Sequence, residues 1–111
     1  HVDGGAFIEP PNFKFHDAYF SVVCDCGLLV HFEEIGDKYS GEAEYEAIKW
    51  AVDNIGERPL KITSDCLTAI CWAKKQTKAS KARGLKPLNL SGITIEYKHQ
   101  NHKLLIYALL Q

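Results

Sequence analysis

The chain has 111 residues, 46% of them hydrophobic, and a formal net charge of -1 at pH 7. A chain of this length and composition can bury a core as one globular unit, so we expect a single domain over residues 1–111. No apolar run is long enough to span a membrane and no signal peptide is visible. The sequence therefore favours a cytoplasmic protein without a membrane partner.

Charge is distributed unevenly along the chain. Residues 1–65 carry five Lys or Arg and thirteen Asp or Glu, whereas residues 66–95 carry six Lys or Arg and no acidic residue. A basic segment beside clustered carboxylates suits a polyanion that Lys and Arg hold and that carboxylate-bound metal cleaves. Solvated charges on a helix end and loop would give the same pattern, so charge alone leaves both interpretations open.

The chain contains four cysteines, which are Cys24, Cys26, Cys66 and Cys71. Their spacing does not match that of structural zinc sites. The apolar content is also high for a small protein that depends on a disulfide framework. We therefore predict four reduced thiols with roles in the core.

The first predicted strand, residues 2–8, contains Asp3, Gly4 and Gly5. All three residues weaken strand formation, and glycine inside a strand often marks a close approach of a ligand or another backbone. Residues 18–24 and 28–34 form two further predicted strands. Because the connection between them is short, we expect these two strands to pair as an antiparallel hairpin.

The first predicted helix covers residues 41–55, where apolar residues recur at three- and four-residue steps, and Gly56 is predicted to cap its end. Glu44 lies on the same stripe as Ala47 and Ile48. A carboxylate on this inward face is costly to bury unless positive charge meets it. From the helix alone, the simpler alternative is a half-exposed Glu44 that the helix dipole stabilises.

The remaining elements are predicted in the order strand, helix, strand and helix, at residues 60–63, 66–76, 93–98 and 104–110. Ser64 and Asp65 end the fourth strand, where they are placed to cap the helix that follows. Residues 77–92 are predicted to form a basic loop. The order β-β-β-α-β-α-β-α predicts an α/β fold, in which helices pack on a mixed sheet.

Three carboxylates, those of Asp3, Glu44 and Asp65, belong to three different predicted elements. If the first and fourth strands are neighbours, Asp3 and Asp65 lie side by side, and the intervening helix can bring Glu44 to the same point. Three converging carboxylates repel each other strongly without a counter-cation. Hard divalent ions such as Mg²⁺ take oxygen ligands, and two of them can support displacement at a phosphodiester.

Three stretches of the sequence resemble type 1 ribonuclease H. They are Asp3-Gly4-Gly5 in the first strand, Gly-Glu-Ala-Glu-Tyr-Glu-Ala at 41–47, and Ile-Thr-Ser-Asp at 62–65. The resemblance implies a ribonuclease H-like fold, with a five-stranded mixed sheet and helices on both faces. It also implies cleavage of the RNA strand of RNA–DNA hybrids, with Asp3, Glu44 and Asp65 as ligands of two Mg²⁺ or Mn²⁺ ions.

Further site residues follow from the same resemblance. The expected nucleic-acid contacts are Gly4, Gly5, Ser40, Lys74, Lys75, Lys78 and Lys81. Members of this family often place a histidine before the last helix to assist proton transfer or product release. His99 and His102 are the candidates here, and His99 is taken as the catalytic one. An exposed loop position without a role is the alternative for both.

The sequence departs from the family pattern at its end. Family members usually carry a fourth carboxylate there, but Leu105 or Ile106 stands at the expected place. The leading prediction is a metal-dependent endonuclease that acts on RNA–DNA hybrids. The alternative is a weakened or inactive module that binds hybrid or double-stranded nucleic acid. Neither function needs a small-molecule cofactor, and we expect a monomer.

Overall fold

A computed structural model describes residues 1–9, 14–24 and 28–98 of the chain. The elements in this part of the chain are β1 (Val2–Glu9), β2 (Lys14–Val23), β3 (Leu29–Gly36), α1 (Ser40–Asn54), β4 (Leu60–Ser64), α2 (Leu67–Lys74), α3 (Lys78–Ala82) and β5 (Ile93–Tyr97). Every strand and helix predicted before residue 99 is present. The predicted helix 104–110 lies outside the described residues. The prediction of helices on both faces of the sheet depends on this helix, and it stays a prediction.

Helix α3 was not predicted, because its sequence lies in the stretch 77–92 that was expected to be a loop. Thr77 and Ser80 form a reciprocal capping box, in which each side chain bonds the backbone N–H of the other. This arrangement satisfies donors that a short helix would otherwise leave without partners. Local capping, rather than a long apolar stripe, therefore starts this five-residue helix.

The five strands pair as two sheets instead of the single sheet that was predicted. Strands β1, β2 and β3 form an antiparallel sheet in that order, and β4 pairs with β5 in parallel. The predicted antiparallel pairing of β2 with β3 is therefore confirmed. The two sheets meet where β1 lies beside β4, and the His1 ring nitrogen Nδ1 and the Thr63 hydroxyl share a hydrogen bond there.

Helix α1 packs across this junction and supplies much of the core. Its buried face includes Ala47, Ile48 and Ala51, which join a cluster with Phe20 of β2 and Ile62 of β4. The small alanines let the helix lie close to the strands, and the larger side chains fill the remaining space. This close packing brings the first turn of α1 next to β1.

The end of α1 differs from the prediction. The C-cap residue is Ile55, which has an extended conformation. Gly56 does not have a positive φ angle. A glycine cap works by adopting the left-handed conformation, which Gly56 does not do. Ile55 instead packs against the core, so burial of its side chain sets the end of the helix.

The cysteines also differ in part from the prediction. Cys66 and Cys71 are free thiols, as expected, but Cys24 is disulfide-bonded. The prediction of four reduced thiols is therefore wrong for Cys24. Within the described residues, no helix combines the length and the apolar content that crossing a membrane would need.

Candidate metal centre

Three elements bring three carboxylates together. Asp3 is the second residue of β1, Glu44 lies early in α1, and Asp65 follows the last residue of β4. One carboxylate oxygen from each residue lies within 4.8 Å of the others. Because β1 and β4 are neighbours, Asp3 and Asp65 lie side by side. The packing of α1 across these strands places Glu44 next to both aspartates.

Glu44 is buried, with only 6% of its surface exposed. The alternative of a half-exposed glutamate in the first turn of the helix is therefore wrong. Its Oε2 atom is buried and has no hydrogen-bond partner among residues 1–9, 14–24 and 28–98. An unsatisfied buried acceptor costs about 1–3 kcal/mol, and more when it carries charge. The unfavourable burial of this atom occurs next to the carboxylates of Asp3 and Asp65.

The surroundings of Glu44 disfavour its charged form. Burial raises the pKa of Glu44 to about 10, and a hydrogen bond and charge repulsion from Asp3 act in the same direction. The Gly4 N–H, which donates to the carboxylate, lowers this pKa, and the charge of Asp65 raises it further. Without a cation, Glu44 therefore keeps its proton at neutral pH.

This set of donors fits a hard divalent cation. Carboxylate oxygens are the preferred ligands of Mg²⁺ and Mn²⁺, and a cation would remove the repulsion among the three groups. It would also give Glu44 Oε2 the partner that the described residues do not provide. Because a ligating carboxylate must lose its proton, cation binding at this point would release the proton from Glu44.

Gly4 allows the helix to reach the site. A Cβ atom at this position would lie 2.7 Å from the Ala43 carbonyl carbon and 2.8 Å from the Glu44 backbone nitrogen. Contacts this short do not occur in folded proteins, so only glycine permits the observed approach of α1 to β1. The sequence predicted Gly4 as a nucleic-acid contact, and the structure gives it a direct part in positioning Glu44.

We expect Gly4→Ala to lower the free energy of unfolding by about 1–3 kcal/mol, because the added methyl group must push the α1 backbone away from β1. Urea denaturation would measure this change. The matched control is Gly56→Ala, since a Cβ at Gly56 meets no atom within 4 Å. Equal stability of the two variants would show that the contact between Gly4 and α1 is not as tight as described.

The N-cap of the helix after β4 is Cys66, one residue after the Ser64 and Asp65 that were predicted to cap it. Helix α2 has Cys66 as its N-cap, and the Cys66 sulfur accepts a hydrogen bond from the Ala69 N–H at 3.5 Å. The Ser64 hydroxyl accepts from the Cys66 N–H at 3.2 Å. With the start of α2 capped by Cys66, the Asp65 carboxylate can face Asp3 and Glu44.

The other predicted nucleic-acid contacts lie on described elements. Ser40 is the first residue of α1 and lies at the same end of the helix as Glu44. Gly5 lies in β1, and a Cβ atom at this position would lie 3.0 Å from the Tyr19 hydroxyl. The four lysines are exposed at the end of α2 and on α3, at positions Lys74, Lys75, Lys78 and Lys81. His99, His102, Leu105 and Ile106 lie outside the described residues.

Arg83 lies next to the start of α1, which the sequence did not indicate. Its guanidinium carbon lies 5.3 Å from the ring centres of both Tyr39 and Trp72, and its Nε is 3.7 Å from Glu42 Oε1. Trp72 is buried. Arg83 therefore links the basic segment to the N-terminal end of α1, a contact that no local sequence pattern indicates.

The fold and this site define an α/β protein with a cluster of three carboxylates, one of them buried, that could hold a metal ion. No protein-family model matches the chain, and no curated protein matches it. Among solved structures, it is similar to the foamy viral protease-reverse transcriptase in complex with dsDNA. The identity is 20% and the TM-score 0.58, over 98% of this chain and 87% of that chain. At this identity the likeness shows the fold alone.

Proposed function

We propose that the protein is a metal-dependent endonuclease that hydrolyses the RNA strand of RNA–DNA hybrids. One observation carries this proposal: three carboxylates converge within 4.8 Å, and the buried Oε2 of Glu44 has no hydrogen-bond partner in the described part of the chain. A cluster built only to stabilise the fold would gain nothing from a third carboxyl group placed where burial and two neighbouring acids oppose its charge. The resemblance of the motifs around Asp3, Glu44 and Asp65 to ribonuclease H, and the fold, support the choice of reaction.

In this proposal, Asp3, Glu44 and Asp65 hold two Mg²⁺ or Mn²⁺ ions. When bound, such ions would supply activation of a water molecule and stabilisation of the leaving oxygen in an in-line phosphodiester displacement. The side chains supply fixed positions, since Asp3 and Asp65 are held by neighbouring strands and Glu44 by the packing of α1. Burial of Glu44 keeps bulk water away from one side of the site and strengthens its electrostatics.

Substrate binding is assigned to the basic segment and to the start of α1. Lys74, Lys75, Lys78 and Lys81 are exposed and can neutralise phosphates of the DNA strand. Ser40 can hydrogen-bond a ribose 2′-hydroxyl, the group that separates RNA from DNA. We assign residues 1–111 to a single cytoplasmic domain that acts as a monomer, with His99 assisting proton transfer or product release.

A cleavage assay tests the proposed function. A hybrid labelled on the RNA strand is incubated with the protein in Mg²⁺, in Mn²⁺ and in a chelator, next to matched double-stranded DNA and single-stranded RNA. Cleavage of the hybrid that requires a divalent cation is the expected result. Absence of cleavage with both cations would refute the endonuclease assignment.

The lysines give a separate expectation for binding. Replacing Lys78 and Lys81 by Ala should weaken hybrid binding at low salt and reduce the slope of log K against log salt concentration by about 2, because two phosphate contacts are lost. Fluorescence anisotropy over a salt series measures the slope. Lys49→Ala, an exposed lysine of α1, is the control and should leave the slope unchanged. An unchanged slope in the double variant would place the binding surface elsewhere.

A second candidate function is binding of hybrid or double-stranded nucleic acid without turnover. It is favoured by the sequence, in which Glu96 is the only acidic residue after Asp65 and no fourth carboxylate stands at Leu105 or Ile106. Salt-sensitive binding is common to both candidates. Cation-dependent cleavage occurs only with the first, so the cleavage assay separates them.

A further inference from the structure

Strand β3 forms the outer edge of the antiparallel sheet. It pairs with β2 on one side, and within the described residues no strand pairs with it on the other side. It is eight residues long and contains neither proline nor lysine, two residues with which proteins commonly protect an exposed edge. Its register shifts near both ends, but the pairing from His31 to Glu34 is regular. This central stretch can therefore accept a further strand.

The pairing with β2 shows which main-chain groups of β3 point outward. The Cys24 N–H donates to the carbonyl of the residue before β3 at 3.0 Å, so Cys24 faces β3. Alternate residues of an antiparallel strand direct their N–H and C=O groups to the same side, so Val22 also faces β3 and bonds its partner His31. By the same alternation along β3, Phe32 and Glu34 direct their N–H and C=O groups away from β2.

The edge formed by β3 is acidic. Residues 15–37 include five Asp or Glu and no Lys or Arg. Of these acids, Glu33, Glu34 and Asp37 are exposed on β3 or directly after it. Phosphates of a nucleic acid would meet like charge here, and a second copy of this chain would bring the same carboxylates to the edge. A polypeptide segment that carries Lys or Arg is complementary to it.

The side chains of β3 define the pattern of a complementary strand. Phe32 exposes 39% of its surface. His31 points to the other face of the sheet, where its ring stacks on Trp50 of α1 at 4.1 Å, and its Nε2 lies 3.1 Å from Glu33 Oε1. Residues directly opposite each other in an antiparallel pair interact. A matching strand therefore has an apolar residue opposite Phe32 and basic residues opposite Glu33 and Glu34.

We propose that the outer edge of β3 binds an extended segment of a partner protein in which two basic residues precede an apolar one. In the antiparallel pairing, the basic residues lie opposite Glu34 and Glu33, and the apolar residue lies opposite Phe32. The N–H and C=O of the apolar residue bond the C=O and N–H of Phe32. This is strand addition, in which main-chain hydrogen bonds give affinity and side chains give selectivity.

A short peptide with blocked ends tests the proposal. Its sequence, Thr-Lys-Lys-Phe-Thr-Val-Thr, places the two lysines opposite Glu34 and Glu33. Hydrogen exchange of the protein is measured by NMR with and without saturating peptide. We expect exchange of the Phe32 and Glu34 amides to slow at least about 10-fold, because each gains a hydrogen bond.

Two matched comparisons separate strand pairing from charge attraction. The same peptide with an N-methyl group on its phenylalanine lacks the N–H that bonds Phe32, and it should bind at least about 10-fold more weakly. The double variant Glu33→Gln and Glu34→Gln should bind the unmodified peptide about 3-fold or more weakly, since two cross-strand charge pairs are lost. Glu57→Gln, an exposed acid outside this edge, should bind it like the unmodified protein.

Failure of the unmodified peptide to bind, or equal affinity for the methylated peptide, would overturn strand addition. Unchanged affinity in the double variant would overturn the choice of a basic partner. Slow exchange of the Phe32 and Glu34 amides without peptide would overturn the proposal as well. The edge would then be occupied by the chain itself, or by a second copy if the protection increased with protein concentration. None of these readouts involves cations or nucleic acid, so they are independent of the proposed nuclease function.

Discussion

Asp65→Asn is expected to reduce hybrid cleavage at least about 100-fold in saturating Mg²⁺. The amide keeps the size of the side chain but loses the negative charge that a divalent cation requires from its ligand. Asp65 follows the end of β4, and Cys66 rather than Asp65 caps the next helix, so the change should leave the fold intact. Single-turnover cleavage of the labelled hybrid measures the loss.

Asp53→Asn is the control for the Asp65 variant, since Asp53 is exposed on α1 and outside the carboxylate cluster. It should cleave at the rate of the unmodified protein. Circular dichroism of both variants checks that the secondary structure is unchanged. Undiminished cleavage by Asp65→Asn would remove Asp65 from the site, and with it the proposed arrangement of ligands.

Glu44→Gln should stabilise the protein in the absence of cations and abolish its stabilisation by Mg²⁺. Unfolded Glu44 titrates near 4.5, whereas burial raises the pKa in the folded protein to about 10. Between these values the folded state keeps a proton that the unfolded state releases, so stability falls as pH rises from about 4.5 toward 10. The amide of Gln does not titrate, and this decrease should therefore be smaller in the variant.

The measurement is Tm from pH 5 to 9, in chelator and in Mg²⁺. At a cation concentration of about 100 Kd, binding stabilises the unmodified protein by about 2.7 kcal/mol, or roughly 10 °C in Tm. The increase should grow with pH, because the cation displaces the Glu44 proton. Glu46→Gln, on the same helix but outside the cluster, should retain the full Mg²⁺ effect. Equal Mg²⁺ effects in both variants would show that Glu44 is not a ligand.

The periodic apolar pattern was sufficient to predict the strands and helices of the described residues, with the exception of α3. It also identified the unusual feature of α1, because Glu44 shares a stripe with Ala47 and Ile48 that a helix buries. The two glycines after Asp3 indicated a close approach at β1, and the structure shows α1 against Gly4. These features are local, so their signals lie within a few residues of each other.

Other features depend on contacts between residues far apart in the chain. The burial of Glu44 and its raised pKa arise only when α1 packs over β1 beside β4. The capping of α2 by Cys66 and the contact of Arg83 with Tyr39 and Trp72 have no distinctive local pattern. The sequence determined which carboxylates are available, and tertiary packing decided that they meet at one point, because strand neighbours and helix placement follow from burial across the whole molecule.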